Sequence, residues 1–67
     1  MEMMVFEFTD IDKLRETART LKMMYDHIMV SYSEEKMILR VEHTNSWIFD
    51  TRIISYVNKH GGRKLPD

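Results

Sequence analysis

The sequence predicts an α+β domain, a β-α-β-β-α open-faced sandwich whose three-stranded antiparallel sheet of order 2-3-1 carries both helices on one face. Three observations predict it. Apolar residues alternate along His27–Tyr32 and again along Met37–Glu42, the period of two that marks half-buried strands. Ile11, Leu14, Ala18, Leu21 and Tyr25 recur at spacings of three and four, which makes one helical stripe. A second helical pattern opens after Thr44-Asn45-Ser46 and stops at Gly61-Gly62.

Glu2–Phe8 is the first predicted strand. Met4, Phe6 and Phe8 share the side expected to face the core, and Met3, Val5 and Glu7 share the other. Thr9-Asp10 ends it, and Thr9 with Asp12 three residues later resembles a capping box with Asp in place of Glu. The helix is expected over residues 10–26. Lys13, Arg15, Glu16, Arg19 and Lys22 occupy its polar surface, and Met23 and Met24 widen the apolar stripe near its end.

The hairpin follows directly. Without Asn-Gly or Asp-Gly at its tip, a four-residue connection on a type I turn is favoured over a tight primed turn. With Ser33 and Lys36 flanking Glu34-Glu35, the predicted register sets Tyr32 against Met37, Val30 against Leu39 and Ile28 against Val41, all on the core face. Ser31, Met29 and His27 then oppose Ile38, Arg40 and Glu42 on the outer face. The second helix is expected from Trp47 to about His60, with a wide arc of Trp47, Phe49, Ile53, Ile54, Tyr56 and Val57. Gly61 suits the left-handed residue after a helix, Gly62 lengthens the break, and residues 63–67 read as a flexible tail beyond a single domain of 1–62. The topology is similar to a ferredoxin-like domain lacking its last strand, an analogy that fixes no function.

A chain of 67 residues supports one domain, and a core of this size leaves a net stability of only about 3–5 kcal/mol. Small folds commonly add a staple. Cysteine is absent, so disulfides are excluded; His27, His43 and His60 lack the spacing of a zinc site; self-association is the remaining inexpensive staple. A net charge of −1 gives no overall field toward nucleic acid or membrane. Neither a membrane span nor a signal peptide is apparent, and the expected location is cytoplasmic. Seven methionines are many for this length, and methionine suits both irregular cores and adaptable binding surfaces.

No residue pattern points to catalysis. The predicted His27–Glu42 pair has no nucleophile, oxyanion donor or cleft beside it. Gly61-Gly62-Arg63-Lys64 precedes no helix and is not a phosphate-cradling loop. The sequence therefore predicts no enzyme, cofactor or metal centre. It predicts a protein-binding regulatory or inhibitory module, self-associating through its outer sheet face or the open edge of its first strand. Met3, Val5, Met29, Ile38 and Trp47 are the interface candidates. A short chain of this kind is typical of accessory factors of viruses or mobile elements. The alternative is a small nucleic-acid-binding protein that uses Lys13, Arg15, Arg19 and Lys22, assisted by Arg63 and Lys64.

Overall fold

A computed structural model describes residues 2–43 and 47–66, without the side chains of residues 2 and 47–49. The order is β1 (Glu2–Phe8), α1 (Ile11–Met24), β2 (Ile28–Ser33), β3 (Ile38–His43), α2 (Trp47–Lys59) and β4 (Gly62–Lys64). The sheet has four antiparallel strands in the order β2-β3-β1-β4, so the expected 2-3-1 core gains one strand. The added strand completes the ferredoxin-like element order.

Two expectations are overturned by β4. Arg63 and Lys64 do not belong to a free tail: Phe6, Glu7 and Phe8 pair with Lys64, Arg63 and Gly62, and the Leu65 amide donates to the Val5 carbonyl at 2.8 Å. For the same reason β1 is not an edge strand, because β3 and β4 flank it. The long open edge belongs to β2.

The core is one cluster. Met4, Phe6 and Phe8 of β1 and Leu39 and Val41 of β3 pack against Leu14, Ala18 and Leu21 of α1 and Ile53 and Val57 of α2. Residues of one parity along β1 and β3 are thus buried beneath both helices, with Ile28 and Val30 of β2 half-buried on the same side, which leaves the other sheet face uncovered. Burying such side chains stabilises by roughly 1.5–3 kcal/mol each before chain entropy opposes it. Thr17 joins the buried stripe of α1, whereas Met23 and Met24 are 77% and 52% exposed and do not widen it.

The cap of α1 is Asp10, not Thr9. Its carboxylate accepts from the Asp12 and Lys13 amides at 2.9 and 3.2 Å, which satisfies donors that the first turn leaves free. The helix ends at Met24 rather than Asp26, because Tyr25 turns extended and packs against the core. The cap residues expected at 44–46 lie outside the described residues.

The hairpin keeps its predicted faces but not its predicted partners. Ser33 pairs with Ile38, Tyr32 with Leu39, Val30 with Val41 and Ile28 with His43, a register two residues away from the expected one. A shift of two leaves every side chain on its own side. Its cause is the turn, which takes up Glu34–Met37: Ser33 Oγ accepts from the Lys36 amide at 3.2 Å, and Met37 adopts the left-handed conformation at φ 58°. The Met37 carbonyl accepts from the Phe8 amide at 2.9 Å while its side chain packs against the core, so local strain is held by tertiary contacts.

At the other end the two glycines do different work. Gly61 has φ +95°, a conformation that side chains resist. Gly62 is needed for space, since a methyl group there would lie 2.3 Å from Val57 Cγ1 and 2.7 Å from Phe8 Cζ.

Candidate functional site

Cross-strand pairing maps the uncovered sheet face residue by residue. One row runs Met29, Glu42, Met3 across β2, β3 and β1; the next runs Ser31, Arg40, Val5; the third runs Ser33, Ile38, Glu7, Arg63. Leu65, bonded to Val5, extends the middle row. Four of the interface candidates, Met3, Val5, Met29 and Ile38, therefore do share one face. They do not form one contiguous patch, because Glu42 separates Met29 from Met3 and Arg40 separates Val5 from β2. Met3 and Met29 are 51% and 69% exposed, while Val5 and Ile38 are half-buried. The side chain of Trp47, the fifth candidate, lies outside the described residues.

The rim of this face is closed by an ion pair between Arg63 Nη2 and Glu7 Oε1, which joins β4 to β1. His27 is not part of the face: it precedes β2, and Met29 takes the place opposite Glu42. His43, at the end of β3, is buried, and its Nε2 meets Asp50 Oδ1 of α2. That contact fastens the second helix to the sheet. His60 closes α2, with its Nδ1 2.8 Å from the Tyr56 carbonyl and its ring stacked on Tyr56 at 4.1 Å.

The six basic candidates fall into separate places. The Lys13 stem runs beside Gly61, and Lys64 Nζ donates to the Leu65 carbonyl at 3.3 Å. Arg63 is held by Glu7. Arg15 donates twice to the Glu34 carboxylate, Nε at 3.0 Å and Nη2 at 2.7 Å, and its Nη1 lies 3.9 Å from Asp12. This two-point bond raises the Arg15 pKa and holds the Glu34 carboxyl below the usual carboxylate range. Arg15, Arg19 and Lys22 nevertheless line one depression together with Tyr32. Tyr32, expected in the core, is 40% exposed, because it belongs to the terminal strand, which has a neighbour on one side alone. This basic and aromatic grouping was legible only as charges on one helix; the contribution of β2 needed the tertiary structure.

Among the described residues, no group of three or more His, Cys, Asp or Glu side chains comes together to hold a metal. No helix among them is long and apolar enough to cross a membrane. Comparisons with protein-family models, curated proteins and solved structures return no match.

Proposed function

We propose that the protein is a non-enzymatic, protein-binding module, regulatory or inhibitory in kind, that self-associates in the cytoplasm through the uncovered face of its sheet. One observation carries this reading: both helices cover the same side of the sheet, and the other side presents Met3 and Met29 largely exposed. Flexible thioether side chains can adapt to an opposing surface, and the alternating Arg40 and Glu42 supply charges of both signs for a second copy to match. Self-association through the first-strand edge drops out, because β4 occupies part of that edge.

Sedimentation at micromolar concentration tests the reading. The protein should sediment as a dimer or larger, and Met29→Glu or Ile38→Glu should give a monomer with an unchanged circular dichroism spectrum. A monomeric parent protein sinks the self-association.

A second reading, nucleic-acid binding, is favoured by the depression that Arg15, Arg19 and Lys22 line together with Tyr32. It is weakened by the carboxylates that already hold Arg15 and Arg63. Binding of an oligonucleotide would have to fall steeply with added salt.

A further inference from the structure

Strand β2 ends the sheet, and the side of α1 that carries Arg15, Arg19 and Lys22 lines a depression with its Tyr32. Among the described residues, strand β2 pairs only with β3, so its outer edge offers unpaired backbone donors and acceptors to another extended chain. Two depressions lie along this edge. Toward Tyr32 is the basic one, where Arg15 is tied to Glu34 while Arg19 and Lys22 meet no carboxylate among the described residues. Toward Ile28 is a more apolar one, lined by Met24, Tyr25, Asp26, His27 and Ile28. Ile28 and Tyr32 both lie on the helix side of the sheet, four residues apart, roughly 13–14 Å along a strand.

We infer that β2 accepts an extended segment of a partner protein as a fifth strand, with an acidic and an apolar side chain four residues apart. This deepens the protein-binding reading and rests on it. Alternate side chains of the added strand would point toward α1. The acidic one would reach Arg19 and Lys22 beside the Tyr32 ring, and the apolar one would lie over Ile28 and the exposed Met24 side chain. Between them stands one helix-side residue, over Val30.

Charge decides among occupants. Two copies joined antiparallel along β2 about a twofold axis would set the basic depression of each at the Ile28 end of the other, where Asp26 is the one carboxylate among the lining residues. A nucleic-acid backbone would find its cations divided, Arg19 and Lys22 in this depression and Lys36 and Arg40 in another on the far side of Tyr32, so that they do not make one phosphate track. An acidic extended peptide matches both the charge and the free backbone.

The test is selection of random twelve-residue peptides on the intact protein. Enriched peptides should carry Asp or Glu and a Leu, Ile, Val or Met four positions apart, without proline between them. Binding of a synthetic enriched peptide should weaken at least about tenfold in the Arg19→Glu/Lys22→Glu variant, whose circular dichroism should match the parent. N-methylation of alternate peptide amides should abolish binding and methylation of the others should not, the signature of strand addition. Peptides that bind but ignore Arg19 and Lys22, and are lost in Met29→Glu, would overturn the edge site while leaving the protein-binding reading standing. Enrichment of no peptide, or an oligonucleotide bound in preference through Arg19 and Lys22, would also overturn it; a monomeric parent with no enriched peptide would sink both readings.

Discussion

Arg15 and Glu34, 19 positions apart, are joined by two hydrogen bonds of 3.0 and 2.7 Å, so the first helix grips the turn of the hairpin. The turn is thereby oriented beneath the side of α1 that carries Arg19 and Lys22. Because the carboxylate is satisfied, Arg15 is a positioning residue more than a free cation.

This pair has a defined pH signature. The folded Glu34 carboxyl is lowered, chiefly by the Arg15 hydrogen bonds and against some desolvation. Its contribution is therefore in place above the ordinary carboxylate value of about 4.3 and is lost as pH falls through the lower folded value. A side-chain NMR titration should place the Glu34 midpoint below that of a reference peptide, and Arg15→Gln should move it back up. An unmoved midpoint in the variant would count against the contact.

The two glycines separate by mechanism. Gly62→Ala should destabilise by about 1–3 kcal/mol, because the new methyl meets the buried Val57 and Phe8 side chains at 2.3 and 2.7 Å. Gly61→Ala should cost about 1–2 kcal/mol through its φ of +95°, with only the flexible Lys13 stem to displace. Restoring space with Val57→Ala in the Gly62→Ala background should relieve part of the first loss and, introduced beside Gly61→Ala, none of the second. Urea denaturation of the single and double variants reads this difference.

Thr17 offers a gain. Its hydroxyl is buried in the helix interface and has no hydrogen-bond partner among the described residues. Thr17→Val keeps the shape and removes the stranded hydroxyl, so it should raise stability by about 0.5–1 kcal/mol. A loss measured by thermal or urea unfolding would mean that the hydroxyl is satisfied in solution.

Side-chain alternation was readable wherever a strand was long. It placed Met4, Phe6, Phe8, Leu39 and Val41 in the core correctly, and the parity held even though the hairpin register moved by two. Parity depends on each strand separately, whereas register depends on the turn, and the left-handed Met37 is not a residue that announces such a turn. Strand β4 was invisible for a related reason. Gly62-Arg63-Lys64 is too short to show a period and contains no β-branched residue; it becomes a strand because β1 offers it an edge. Thr17 is polar and so does not mark the apolar stripe in the sequence, yet its spacing from Leu14 and Leu21 puts it there. Of the candidate face, Met3, Val5, Met29 and Ile38 were legible as a set, as was the central place of Arg40 and Glu42, but that Glu42 rather than Arg40 stands beside Met29 depends on the register that the turn sets.

The pairing of β1 with β4 also sets a schedule. Glu7 and Arg63 are separated by 56 positions, so one flank of the innermost aromatic strand stays bare until almost all of the described chain has emerged. Contacts of such long separation form late and slow the search for the native state. During synthesis the nascent chain therefore displays Phe6 and Phe8 beside an unfilled edge, and the interval before Gly62 arrives is when it is most open to capture by a chaperone or by another nascent copy.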